Sequence, residues 1–242
     1  MSDREFDVVI IGAGLGGLES AIILAREGYS VCVLEKNHQL GGSLQVFSRD
    51  KTIFDTGVHY IGGLCPGQNL HTYLNYFGIM DKLKLHRMDM DGFDRIELPG
   101  DPKQYAYAQG YENFVERLVQ DFPTERPAIQ KFCDLIREVC ERFPLYRVRY
   151  DERPDWMNDE LNWNAQDVIA SLTDNLTLRN VLGGSNPLYA GDHRSPFYVH
   201  ALVVNTYIES SWRCIDGGSQ FAKYLASNAR KEGAVIHSRK NV

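Results

Sequence analysis

The chain has 242 residues, 43% of them apolar and 24% charged, with a formal net charge of −6. That balance is ordinary for a globular protein, and the length allows one large domain or two small ones. The net charge of −6 argues against a nucleic acid held on a basic surface, the scattered acidic residues aid solubility, and no segment reaches the ~18 consecutive apolar residues that a membrane span needs.

Phe6 to Ile11 is a short apolar run rich in β-branched residues and predicts a buried strand. Gly12, Gly14 and Gly17 then form G-x-G-x-x-G around Ala13, Leu15 and Gly16, and helical apolar periodicity runs from about Gly16 to Glu27. Gly28 stops that helix, and Ser30 to Leu34 predicts a second strand ending in Glu35. Strand, glycines, helix, strand and acid stand in the order of a βαβ nucleotide-binding unit. Gly12 permits the tight turn, Gly14 lets backbone N–H groups approach a pyrophosphate, and Gly17 lets helix and strand pack closely. The helix N-terminus adds unpaired N–H donors and a positive dipole end. Glu35, 18 residues after Gly17, can accept hydrogen bonds from ribose hydroxyls. NAD and FAD satisfy that arrangement equally, whereas a carboxylate would repel the 2′-phosphate of NADP. Lys36 follows as a further candidate contact.

The next residues complete the pattern E-x5-G-G, with Gly41 and Gly42 soon after the acid. Here the chain resembles the FAD-binding amino-terminal motif of glutathione-reductase-like flavoproteins, and within them the phytoene desaturase, carotenoid isomerase and retinol saturase branch. The resemblance implies an α/β fold: a Rossmann-type FAD/NAD(P)-binding domain with an inserted α+β substrate domain. It also implies that Gly41, Gly42 and Ser43 run along the pyrophosphate and ribityl chain of FAD. Many relatives carry Arg after the glycine pair, so Ser43 is a departure that bears on one phosphate or flavin contact.

Leu44 to Phe47 and Thr52 to Phe54 flank Arg49-Asp50-Lys51 and predict a hairpin. Phe54-Asp-Thr-Gly-Val-His-Tyr-Ile-Gly-Gly63 follows, with glycines on both sides of His59 and Tyr60. One reading is a tight loop with a hydrogen-bonded histidine; the other is that the glycines clear space for a flat ring. The segment resembles the F-D-x-G-x-H-Y-I-G stretch of retinol saturase-like and carotenoid isomerase-like proteins, which implies that Gly57, Val58, His59 and Tyr60 lie near the flavin.

Further along, Gln68 to Phe77 predicts a short amphipathic helix, and Ile96–Leu98 with Gln104–Ala108 a second hairpin with one face buried and one open. Apolar stripes from Tyr111 to Phe122 and from Ile129 to Phe143 predict two core-facing helices. The charged, proline-interrupted Arg147 to Asp159, with Trp156, reads as an exposed connection. Asn164 and Asp167 look like the cap and first-turn acid of a helix over 165–173. Gly183 to Pro187 reads as a loop, and Pro196 as the start of a buried helix reaching about Ser210. A helix over Ser219–Lys231 and a strand from Ala234 to His237 are predicted last. His200 to Tyr207 and Gly217 to Gln220 again resemble the retinol saturase branch, which implies that the first borders the substrate cavity and the second returns the chain to the flavin domain. The same resemblance places the backbone of Val242 near adenine. It divides the chain into an FAD-binding part, 1–85 and 212–242, and a substrate-domain part, 86–211.

The five cysteines form no C-x-x-C pair. Cys32 reads as strand filler, Cys133 and Cys140 share one helix face at core spacing, and no metal site is expected. That usage fits a reducing compartment, and the opening residues lack a signal-peptide pattern, so the expected location is cytoplasmic, with peripheral membrane contact left open. The resemblance implies an FAD-dependent oxidoreductase that saturates, desaturates or isomerises C–C bonds of an apolar polyene or lipid, with NAD(P)H a candidate electron donor. Such chemistry needs no strong acid–base set, and none is named; His59 and Tyr60 are candidates for shaping the flavin site. The alternatives are an amine-oxidase-like flavoenzyme acting on C–N bonds, a simple NAD-dependent dehydrogenase, and a non-enzymatic binder related to prenyl-protein escorts. Family members are about twice this length, so the chain is expected to be a fragment, which by itself would bind FAD poorly.

Overall fold

The computed structural model describes residues 5–144, 146, 148 and 161–242. The expected exposed connection Arg147–Asp159, with Trp156, lies outside the described residues apart from Val148. In chain order the elements are β1 (Val8–Ile11), α1 (Leu15–Arg26), β2 (Val31–Leu34), β3 (Val46–Arg49), β4 (Thr52–Asp55), β5 (Ile61–Gly62), α2 (Asn69–Tyr76), β6 (Leu85–Arg87), β7 (Asp94–Glu97), β8 (Gln104–Tyr107) and α3 (Tyr111–Asp121). They continue with α4 (Arg126–Arg142), α5 (Ala165–Leu172), α6 (Leu176–Leu182), α7 (Phe197–Glu209), β9 (Ser211–Cys214), α8 (Ser219–Lys231) and β10 (Val235–His237). Contacts gather them into two units. The first holds the chain up to Ile61, Leu70–His86 and Trp212–Val242; the second holds Gly62–Asn69 and Arg87–Ser211.

In the first unit β1, β2 and β10 form a parallel sheet in the order β1-β2-β10. Val8 pairs with Val31 and Ile11 with Leu34, while Val235 pairs with Cys32 and His237 with Leu34. The central strand β2 is the apolar, β-branched one, and Val31, Cys32 and Val33 are buried. Helices α1 and α8 pack on each other, and Leu18, Ala21 and Ile22 of the first and Phe221, Ala222 and Leu225 of the second are buried. The expectation of a fully buried first strand needs correcting. Ile10 faces α1, but Val9 is 54% and Ile11 70% exposed on the opposite face. Strands β3 and β4 form the expected hairpin, with Phe47 opposite Phe54 and their rings stacked at 5.3 Å. Its two-residue turn, Asp50 and Lys51, has positive φ at both positions, as the twist of a tight hairpin requires.

The second unit is mainly helical. Helix α4 lies along α7, and α3 packs on both α4 and β8. Phe114 and Leu118 of α3, Ile129, Phe132 and Ile136 of α4, and Phe197, Ala201 and Ile208 of α7 are all wholly buried. The predicted apolar stripes therefore face a core, and α7 is the expected buried helix. Strands β7 and β8 form the expected hairpin, but its open face does not exist on β8: Tyr105, Ala106 and Tyr107 are all buried, and the Tyr107 hydroxyl donates to the Val181 carbonyl. Asn164 caps α5 as predicted, its side chain accepting the Asp167 N–H at 3.1 Å. Helix α6 departs from the sequence reading. It is capped by Asn175, which accepts the Leu178 N–H at 3.1 Å, and it buries Leu178, Val181 and Leu182. The expected loop at Gly183–Pro187 ends this helix and runs into a 3-10 turn over Asn186–Tyr189.

Candidate functional site

The turn from β1 into α1 works through what its residues lack. Gly12 has φ +99°, a conformation that costs a side chain dearly, while its N–H still donates to the Leu34 carbonyl at 2.8 Å. A Cβ on Gly17 would stand 2.1 Å from the Gly12 carbonyl oxygen, so helix and turn touch only because residue 17 is glycine. Gly14 caps α1 without a side-chain hydrogen bond, and the first intrahelical bond runs from the Leu18 N–H to the Gly14 carbonyl at 3.0 Å. The N–H groups of Leu15, Gly16 and Gly17 therefore lack intrahelical acceptors, as at any helix start. Leu15 and Gly16 are exposed, and neither Gly14 nor Gly16 has a heavy atom within 4 Å of its Cβ direction. Free donors facing open space are what an anionic ligand needs.

The second glycine loop is stitched to the first. Gly41 donates to the Ala13 carbonyl at 2.8 Å, and Gly14 and Gly41 form an isolated parallel bridge. Gly41 has φ +117°, and a Cβ there would lie 2.8 Å from that of Ala222; one on Gly42 would reach the Gly14 Cα at 3.4 Å. Ser43 then abuts the third segment, since a Cβ on Gly57 would meet the Ser43 carbonyl at 2.9 Å and Thr56 donates to the Gln45 carbonyl at 2.8 Å. Val58 is half-buried beside Gly218, whereas His59 is exposed and Tyr60 half-buried. The structure thus brings Gly12–Gly17, Gly41–Ser43 and Gly57–Val58 into one region of the first unit. Gly62 and Gly63 do not belong to it. A Cβ on Gly62 would strike the Thr206 carbonyl at 2.4 Å, and Gly63 donates to the Thr206 carbonyl at 3.1 Å. Those two glycines clear space for the end of α7, not for a flat ring.

Glu35 is 6% exposed. One carboxylate oxygen accepts the Ala13 N–H at 2.9 Å and the other the Asn37 N–H at 2.8 Å. Burial pulls its pKa upward, but the N–H donors of Asn37 and Ala13 and the Lys36 charge outweigh it and hold the carboxyl below its ordinary value. Lys36 itself is exposed. The Glu35 backbone is fixed as well, its N–H donating to the His237 carbonyl and its carbonyl accepting from Lys240, both at 2.8 Å. Val242 lies beyond β10 and is 76% exposed. A further contact of this region escaped the sequence reading: Asp55 accepts the Gly218 N–H at 2.7 Å, closing the base of the β3–β4 hairpin onto the start of α8. An acid placed just before Thr56-Gly57 was the available signal.

The stretch expected to border a substrate cavity behaves differently. His200 is wholly buried, with Nδ1 3.0 Å from the Tyr189 hydroxyl and its ring packed against Phe132 and Phe197. Asn205 accepts from the Tyr111 hydroxyl and donates to that of Tyr146 at 2.8 Å. These are core groups with core partners. Cys32, Cys133, Cys140 and Cys214 are buried, and none of the five cysteines is in a disulfide. No cluster of three metal-ligating side chains occurs among the described residues, nor any helix long and apolar enough to cross a membrane.

Comparison with known proteins agrees with this geometry. Residues 10–77 match the model of the NAD(P)-binding Rossmann-like domain. All-trans-retinol 13,14-reductase of Danio rerio is 27% identical over 255 residues, which cover 96% of this chain and 41% of that protein. Prolycopene isomerase 1 of an Oncidium hybrid cultivar is 34% identical over 154 residues, 64% of this chain and 26% of the isomerase. The chain is thus similar to retinol saturase-like and carotenoid isomerase-like proteins. It spans about two fifths of the length of the retinol reductases it matches. An oxidoreductase from Methanosarcina mazei, 21% identical, superposes with a TM-score of 0.64 over 95% of this chain and 50% of its own. The expected α/β Rossmann-type fold is therefore the one observed.

Proposed function

We propose that this chain is the nucleotide-binding portion of an FAD-dependent oxidoreductase acting on C–C bonds of an apolar polyene or lipid. The observation that carries the proposal is the pairing of two glycine loops through Gly41 N–H and the Ala13 carbonyl at 2.8 Å. A single glycine turn suffices for a pyrophosphate; a second loop laid against it extends the cradle along the rest of a larger dinucleotide. In this reading the N–H groups at the start of α1 hold the pyrophosphate, and the unused lone pairs of Glu35 take the ribose hydroxyls. The backbone of Gly41–Ser43 follows the ribityl chain, Gly57 to Tyr60 border the ring, and Val242 approaches adenine. Bound FAD would supply hydride transfer, for which the protein contributes orientation and exclusion of water. Residues 1–85 and 212–242 would form the flavin part and 86–211 part of the substrate domain. The relatives named for retinol and prolycopene support an apolar substrate, and NAD(P)H is a candidate electron donor.

The test is flavin binding. Titration of the purified protein with FAD should quench flavin fluorescence, and Glu35→Arg should weaken that binding by tenfold or more, equivalent to about 1.4 kcal/mol. Binding of NAD without FAD would sink the proposal, and unchanged affinity in Glu35→Arg would remove Glu35 from the ribose role.

A further inference from the structure

A buried carboxylate is costly unless hydrogen-bond donors or an opposite charge meet it. Glu35 lies beneath the surface, and among the described residues it makes no ion pair. Two backbone N–H groups take that place, and one of them, Ala13, belongs to neither helix nor strand. Ala13 is itself wholly buried, so without the carboxylate its N–H would be an orphan donor. The carbonyl of the same residue accepts from Gly41. An unbroken line of hydrogen bonds therefore runs from Asn37 N–H through the Glu35 carboxylate to Ala13, and from Ala13 to Gly41.

We propose that Glu35 is a positioning residue: in the nucleotide-free chain its carboxylate ties the first glycine turn to the end of β2 and, through Ala13, sets the second glycine loop. The backbone bonds of Glu35 to His237 and Lys240 make its own position firm enough for this. Two of the roughly four lone-pair sites of the carboxylate are used, which leaves the others for a ligand already oriented. The purpose of the arrangement rests on the FAD reading above, but the tie itself is a property of the free chain. A residue whose only task was to meet ribose would be free to wait in solvent; Glu35 is not.

The experiment is residue-resolved amide exchange on the chain without nucleotide, comparing wild type with Glu35→Gln. Glutamine offers one acceptor oxygen and an NH2, so it cannot serve both N–H groups. In the wild type the Ala13 amide should be protected although it lies outside regular structure. In Glu35→Gln protection should fall tenfold or more at Ala13 and by a smaller factor at Gly41, while Val33 in the centre of β2 keeps its rate. An Ala13 amide that exchanges freely in the wild type would overturn the proposal, and this arm needs no variant to fold. Unaltered protection at Ala13 in Glu35→Gln would overturn it equally. FAD titration of the same samples separates the two readings: a wild type that binds FAD but leaves the Ala13 amide unprotected sinks only this one, and a wild type with Ala13 protected but no FAD binding sinks only the other.

Discussion

The two units are built on opposite economies of side chain. In the first, the working parts are Gly17, Gly41 and Gly57, where a single added carbon meets backbone or a neighbouring side chain, and Gly12, whose φ of +99° disfavours any side chain, while large apolar groups such as Ile11, Phe47 and Phe54 stand exposed. In the second, Phe114, Phe132, Ile136 and Phe197 are wholly buried; of the polar groups among them, Asn205 bonds the Tyr111 and Tyr146 hydroxyls and His200 Nδ1 that of Tyr189, while His200 Nε2 is buried without a partner among the described residues. The difference teaches that the glycine loops of the first unit depend on atoms being absent and the helical core of the second on atoms being present. Adding a methyl group should hurt the first as removing a ring hurts the second.

The largest expected effect lies in the second unit. Phe132→Ala empties a fully buried position and should cost about 3–5 kcal/mol in chemical denaturation; a much smaller loss would mean that this core is loosely packed. Next comes a pH effect at His200, whose imidazole burial pulls down to about 4 from an ordinary 6.5, with the Leu182 backbone partly opposing. Because the folded pKa is the lower one, the unfolded chain binds a proton first as pH falls. Stability should therefore be full above pH 6.5 and decline by about 3 kcal/mol towards pH 4, then level off as far as this group is concerned. Replacing His200 with Leu should remove that slope from the pH profile of unfolding; a slope that persists assigns it to other groups.

In the first unit Gly17→Ala pushes a Cβ to 2.1 Å from the Gly12 carbonyl oxygen, a backbone atom that cannot swing aside. About 1–3 kcal/mol of stability should be lost, together with nucleotide binding, whereas Gly16→Ala, which meets open space, should change stability by no more than about 0.5 kcal/mol. Equal thermal shifts for the two variants would break the contrast between the units. The smallest effect is expected at Ile11→Thr. That side chain is 70% exposed, and its replacement should stay within about 0.5 kcal/mol.

Much of the first unit was legible in the sequence because its signals are local. A β-branched run, glycines at fixed spacing, helical periodicity and a terminal acid each constrain only a few neighbouring residues, and α1, β2, β3 and β4 lie where those signals put them. The apolar stripes of α3, α4, α7 and α8 were legible for the same reason. Helix α6 was overlooked although Asn175 followed by Leu178, Val181 and Leu182 is a cap with helical spacing; its 7 residues are too few for periodicity to stand out. The face of β1 that carries Val9 and Ile11 was misjudged because an apolar residue announces a preference for burial and not the presence of a cover. Strand β8 erred in the other direction, its alternating tyrosines and alanines all lying under neighbouring elements.

What the amino-acid order determined by itself is the kind of unit and the residues able to serve it: which positions must be glycine, where a carboxylate ends a strand, and which helices have a face to bury. Only the tertiary structure decided how those residues are spent. It gave the Glu35 carboxylate to Ala13 across 22 positions, Asp55 to Gly218 across 163, and Gly62 to the end of α7. Hydrogen bonds and close approaches of this kind join residues far apart in the chain. Their cost and gain are fixed by geometry that no local pattern encodes.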